Sequence, residues 1–291
     1  MPKPGRYHEG VPCWVVLTTP DVPRAQRFYG TLFDWEFVPT GPAEAVATRY
    51  GAQVAGVEQR TDATRPAAWT THLACADPRR TGALVRAADG RIAREPYEVP
   101  DQGRASLAVD PLGASFGLWQ PGTIDGAGLV NEPGALSWNE HLSPDPDTAR
   151  AFYRRVFGYT YDRPRAGHTL ARADGLPACS IGPSGTGPSD THPSPAGPPD
   201  TGGARWLAHF GTADTDLAAE RLRALGGAVL TGPEPTPYGR AALVRDDAGA
   251  EFVLVAVPAQ ELPSRERPSG ESPPRESPPR EFPSDESAEA A

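Results

Sequence analysis

The chain has 291 residues, 38% of them hydrophobic, with 35 prolines, 31 glycines and a formal net charge of −9. That acidic balance excludes the basic footprint needed to hold nucleic acid or an anionic membrane surface, and it points to a small-molecule partner. The length favours about two domains. Three cysteines without a CxxC spacing fit a reducing compartment, and no apolar run suits a signal peptide or a membrane span, so a cytoplasmic location is expected.

In chain order, residues 13–19 alternate as a strand, and Pro20-Asp21 makes a turn. Ala25, Phe28, Tyr29, Leu32 and Phe33 then share one helical stripe, with Asp21 placed to cap the free N–H groups of the first turn. Short strands are expected at 45–49 and 53–57. The pattern restarts with a strand at 70–76, a helix near 79–88 and strands at 106–109 and 115–119.

The same order then returns. Gly10 to Trp35 aligns without a gap on Gly134 to Tyr159, sharing Trp14/Trp138, Pro20/Pro144, Asp21/Asp145, Phe28/Phe152, Tyr29/Tyr153 and Phe33/Phe157. Trp69-x-x-His72 recurs as Trp206-x-x-His209, and Asp110-x-x-Gly113-x-x-Phe116 recurs as Asp246-x-x-Gly249-x-x-Phe252. Two homologous units are therefore expected over 10–120 and 134–257, joined by a Pro/Gly linker at 121–133. A loop at 182–203, rich in Pro, Gly, Ser and Thr, and a Pro-rich C-terminal tail at 262–291 carry too little apolar surface to fold, and both are expected to be disordered.

A strand with a fixed aromatic position, an aspartate seven residues on, and a helix carrying Phe-Tyr, all repeated, resemble the vicinal oxygen chelate superfamily of glyoxalases, bleomycin-resistance proteins and extradiol dioxygenases. The similarity is greatest to its two-domain actinobacterial members of hydroxylase or glyoxalase-like type, and it covers about four-fifths of the chain. It implies an α+β fold of two tandem domains, each built from two βαβββ modules that curl into a half-open barrel around a cavity. Enzymes of the superfamily bind a divalent metal there. Carried over one at a time, the ligand positions fall on Trp14, Thr70, Ala55 and Gly117 in the first unit and on Trp138, Leu207, Cys179 and Val253 in the second. Indoles and aliphatic side chains do not ligate hard cations, so neither metal nor other cofactor is expected.

Strand alternation brings residues two places from those positions to the cavity as well. In the second unit they are Glu140, His209 and Glu251, with Glu140 expected opposite His209 as a general acid–base pair. In the first, Val16 is expected opposite His72, near Ser115 and Trp119. Trp14 and Trp138 offer broad faces to a planar ligand. Cys179 lines the second cavity as a buried hydrophobe rather than a nucleophile, because no cation neighbours it in sequence.

Two functions stay open from these residues. One is a metal-independent binding protein for a hydrophobic planar metabolite. Here the resemblance implies an aromatic polyketide of anthracycline type, a role in antibiotic biosynthesis or self-resistance, and a tailoring oxygenase of the same pathway as partner. The other is a cofactor-free cyclase, lyase or hydroxylase using Glu140 and His209, with a metal-dependent glyoxalase or dioxygenase behind it.

Overall fold

A computed structural model describes residues 7–62, 64–164, 167–184, 203–236 and 239–257. The tail at 262–291 and most of the 182–203 loop lie outside the described residues. At its start, that loop is still sheet.

The first repeat runs β1 (Pro12–Thr19), α1 (Val22–Phe33), β2 (Glu36–Gly41), β3 (Glu44–Arg49), β4 (Ala52–Gln59), β5 (Ala68–Ala74), α2 (Pro78–Ala87), β6 (Arg91–Val99), β7 (Gly103–Val109) and β8 (Ser115–Pro121). The second runs β9 (Leu136–Ser143), α3 (Pro146–Phe157), β10 (Thr160–Tyr161), β11 (Thr169–Ala173), β12 (Leu176–Pro183), β13 (Arg205–Thr212), α4 (Thr215–Ala224), β14 (Ala228–Thr236), β15 (Gly239–Arg245) and β16 (Glu251–Ala256). Each repeat is two βαβββ modules joined edge to edge into one curled sheet of eight strands, β2-β3-β4-β1-β5-β8-β7-β6 and β10-β11-β12-β9-β13-β16-β15-β14. Strands β2, β6, β10 and β14 supply the first strand after the helix in each expected βαβββ module, at bounds that the sequence periodicity did not mark. At least two of them carry charged and proline residues that blur the alternation on which strand recognition rests, as in REPYE and GPEPT.

Four aspartates start the four helices. Asp21, Asp77, Asp145 and Asp214 each accept one or more backbone N–H groups of the first turn, an arrangement that contributes roughly 1 kcal/mol per helix.

The helices are the reason the repeats do not stand apart. Helix α1 lays Phe28, Tyr29 and Phe33 into a core completed by Phe210, Phe252 and Leu254 of the second sheet. Helix α3 reciprocates, with Phe152, Tyr153 and Val156 against Leu73, Phe116 and Leu118 of the first. Each junction closes on a buried polar relay of the same form. Tyr29 Oη donates to Asp246 Oδ2 at 2.8 Å and accepts from Trp69 Nε1 at 3.0 Å. Tyr153 Oη donates to Asp110 Oδ2 at 3.2 Å and accepts from Trp206 Nε1 at 2.9 Å. In the second relay His141 Nε2 also reaches Asp110 Oδ2, at 2.7 Å.

Candidate functional site

The outer faces of both sheets serve these shared cores, which leaves the concave faces for a ligand. Alternation along β1 sends Val15 and Leu17 to the core and turns Trp14, Val16 and Thr18 into the curl of the sheet. The first cavity measures about 830 Å³ with its open mouth included. Its floor holds Trp14, Val16, Thr70, His72 and Trp119; Glu44, Glu58, Arg94, Tyr97 and Glu98 also line it. At the rim the Arg94 guanidinium lies 3.4 Å above the Tyr97 ring. Burial, with the Glu58 carboxylate adding to it, raises the Tyr97 phenol above its ordinary range, so it faces the cavity as a neutral group.

His72 is 3% exposed, and burial pushes its pKa down to about 4. The ring is therefore neutral at physiological pH. Its Nδ1 lies 3.2 Å from the Thr70 carbonyl oxygen, which can only accept, so Nδ1 carries the hydrogen and Nε2 the lone pair. Gly117 makes room for the ring: a Cβ at that position would sit 2.0 Å from His72 Cδ2. The indole of Trp119 meets His72 edge to face, with ring centroids 6.4 Å apart, and is itself fixed by its Nε1 bond to the Ile124 carbonyl at 3.0 Å.

The second concave face uses the same positions differently. Where the first cavity has Thr18, Thr70, Leu107 and Trp119, the second sheet has Leu142, Leu207, Leu243 and Val255, packed into one apolar cluster. Beside that cluster lies a charged group. Glu140 Oε1 is 2.7 Å from His168 Nδ1 and accepts from Ser180 Oγ at 3.0 Å; Ser180 in turn accepts from Trp138 Nε1 at 3.1 Å. His209 Nε2 stands 3.7 Å from Glu140 Oε2, an ion-pair separation beyond hydrogen-bond reach. Burial acts to raise the Glu140 pKa, but the hydrogen bond from His168 and the closeness of His209 outweigh it and hold the carboxyl well below the usual range.

The structure therefore gathers Trp14, Val16, His72 and Trp119 in the first cavity, and Trp138, Glu140 and His209 in the second sheet. Two details differ from the sequence expectation. Val16 pairs with Thr70 and Trp14 with His72; likewise Glu140 pairs with Leu207 and His209 with Trp138, so both expected pairs are diagonal rather than opposite. Cys179 and Ala55 point away from the cavities, because the parallel register of β4 and β12 places Gly56 beside Val16 and Ser180 beside Glu140. Cys179 lies fully buried in the shared core, and burial pushes its thiol up to about 12. Glu251 forms ion pairs with Arg245 at 2.8 Å and Arg205 at 3.8 Å. His168 escaped the sequence reading. It sits on the second-repeat position equivalent to Glu44, and only the two intervening strand pairings bring it to Glu140.

Curled eight-stranded sheets of paired βαβββ modules, each around a concave site, define the vicinal oxygen chelate class of protein. The chain belongs to the glyoxalase/bleomycin resistance protein/dioxygenase superfamily, whose family model matches residues 140–254. CFP32 of Mycobacterium tuberculosis, which carries the name of a glyoxylase, is 34% identical over 271 residues, 89% of this chain and all of that one. The anthracycline biosynthesis protein DauV of Streptomyces sp. is 31% identical over 273 residues, 86% of this chain and 94% of that one. Among solved structures, the Mn(II)-bound glyoxalase from Novosphingobium aromaticivorans superimposes with a TM-score of 0.58 at 17% identity, covering 85% of this chain and 83% of that one.

The residues present do not fit the divalent metal of the superfamily's enzymes. No three His, Cys, Asp or Glu side chains converge on a cation position among the described residues. In the first cavity the His72 ring fills the space in front of Gly117. In the second, Glu140 and His168 bond to each other, which leaves the shared His168 nitrogen without a lone pair for a metal. No helix among the described residues is long and apolar enough to cross a membrane.

Proposed function

We propose that the first cavity binds a hydrophobic, planar aromatic metabolite without a resident metal, and that the protein serves the biosynthesis of an anthracycline-like polyketide or self-resistance to it. The observation that carries this reading is the contrast between the two concave faces. On the second, Leu142, Leu207, Leu243 and Val255 gather in one buried apolar cluster, whereas on the first the Trp14 and Trp119 indoles line a cavity together with Val16 and His72. Stacking on such rings contributes about 0.5–1.5 kcal/mol per pair beyond area burial. The name of the Streptomyces relative supports the ligand class. A tailoring oxygenase of the same pathway is the partner proposed to deliver or receive the ligand.

A second reading, a cofactor-free enzyme using Glu140 and His209, draws on the charged cluster. Against it, a carboxylate held ionised by His168 and Ser180 is a weak base near neutral pH.

Titrating the protein with a hydroxyanthraquinone while following tryptophan fluorescence, with the ligand analysed afterwards, separates the two. Saturable quenching, intact ligand, and a roughly tenfold loss of affinity in Trp14→Ala are the expected results. Turnover that Glu140→Gln and His209→Gln abolish, together with unchanged binding in Trp14→Ala, would replace binding by catalysis.

A further inference from the structure

The chain has six tryptophans, and five donate their ring N–H within the protein. Trp35 gives it to the Gly134 carbonyl, Trp69 to Tyr29, Trp119 to the Ile124 carbonyl, Trp138 to Ser180 and Trp206 to Tyr153. Trp14 is only 2% exposed, yet its Nε1–H meets no acceptor among the described residues. The cause is one residue on the neighbouring strand. Where the second repeat has Ser180, whose hydroxyl takes the Trp138 proton, the first has Gly56 in the same register. A Cβ on Gly56 would lie 3.3 Å from Trp14 Nε1, so the N–H faces the spot that a serine side chain would occupy.

Directly across β5, the register partner of Trp14 is His72. Its Nδ1–H is spent on the Thr70 carbonyl, and its Nε2 lone pair meets no donor among the described residues. Both residues line the same cavity. The two groups flank the β1–β5 floor, Trp14 Nε1 beside Gly56 of β4 and His72 Nε2 beside Gly117 of β8, and a ligand that supplies the partner of either gains a hydrogen bond that no protein group among the described residues makes.

We infer that the floor of the first cavity offers two separate polar anchors for a ligand bringing both a carbonyl acceptor, for Trp14 Nε1–H on the β4 side, and a hydroxyl donor, for His72 Nε2 on the β8 side. The chemical class is a hydroxylated aromatic ketone or quinone, rather than a plain aromatic hydrocarbon or a fully O-methylated ring system. This inference rests on the planar-ligand reading of the cavity. Sites that hydrogen-bond a ligand group reject the analogue lacking it more strongly than apolar pockets reject a missing methylene, because the site's own group is left unpaired.

The test measures dissociation constants for three probes: hydroxyanthraquinone, methoxyanthraquinone, which lacks the donor, and hydroxyanthracene, which lacks the carbonyl. The full-length protein should prefer the first over each of the others by about tenfold. Trp14→Phe, and Gly56→Ser, which installs the second repeat's acceptor beside the indole, should erase the preference over hydroxyanthracene and keep that over methoxyanthraquinone. His72→Phe should do the reverse. The indole N–H resonance of Trp14 should shift downfield with either quinone and stay in place with hydroxyanthracene, a readout on unaltered protein that does not depend on a variant folding. Equal affinity for all three probes overturns this inference alone. Absence of binding by any of them overturns the planar-ligand reading and this inference with it.

Discussion

Replacing Tyr29 by Phe removes one oxygen from the interior that the two repeats share, and it breaks two bonds at once. The hydroxyl donates to Asp246 at 2.8 Å and accepts from Trp69 at 3.0 Å. A hydrogen bond to a charged acceptor contributes about 1.5–3 kcal/mol net, and a buried donor left unpaired costs about 1–3 kcal/mol. The two terms overlap because they share one oxygen, so Tyr29→Phe should destabilise the protein by about 2–4 kcal/mol. Asp246 would keep only the N–H groups of Ala248 and Ala250. The matching change, Tyr153→Phe, should cost about 1 kcal/mol less. Asp110 keeps His141 Nε2 at 2.7 Å besides the N–H groups of Leu112 and Ala114, and His141 is one more donor than Asp246 has. Urea unfolding followed by far-UV circular dichroism measures both variants, with m-values compared to confirm that the same surface is exposed. Tyr29→Phe within 0.5 kcal/mol of wild type, as is usual for surface substitutions, or Tyr153→Phe costing more than Tyr29→Phe, would refute the reasoning.

His72 gives a pH dependence with a definite sign. Its folded pKa of about 4 lies below its unfolded value near 6.5. The unfolded chain therefore takes the proton first, and this contribution to stability is present above 6.5 and lost as pH falls toward 4. Integrated at about 1.4 kcal/mol per pKa unit, it amounts to roughly 3 kcal/mol; the difference between wild type and His72→Gln in urea series from pH 7 to pH 4 should show it, and parallel curves would exclude it. The thiols of Cys13, Cys75 and Cys179 are all buried with raised pKa values. Iodoacetamide should label none of them in native protein at neutral pH within minutes and all three after unfolding, whereas rapid native labelling of Cys179 would contradict its place in the core.

How much of this was legible follows from what each residue answers to. Asp21, Asp77, Asp145 and Asp214 serve the helix that follows them in sequence, so their roles are local and readable. The inward set Trp14, Val16 and His72 follows from strand alternation, a rule of period two. That same parity turns Trp69 away from Thr70 and His72 and into the shared core, where it meets Tyr29. Cys179 and Ser180 differ by a single step on β12, and only the register with β9 decides which one reaches the cavity. Partners such as Tyr29 with Asp246, or His168 with Glu140, join segments separated by whole elements. No local pattern in the chain announces them.

The exchange of helices between the sheets has a consequence for the chain as a unit of inheritance. A half ending near the 121–133 connection would carry α1 with its aromatic face uncovered and a sheet missing the helix that closes it. Such a half presents a surface complementary to its missing counterpart and, through the repeat, nearly complementary to a second copy of itself. A single-repeat ancestor would thus have had reason to pair as a dimer with two equivalent cavities. Fusion into one chain frees each copy to drift, which lets one concave face keep an aromatic and polar lining while the other gathers leucine and valine.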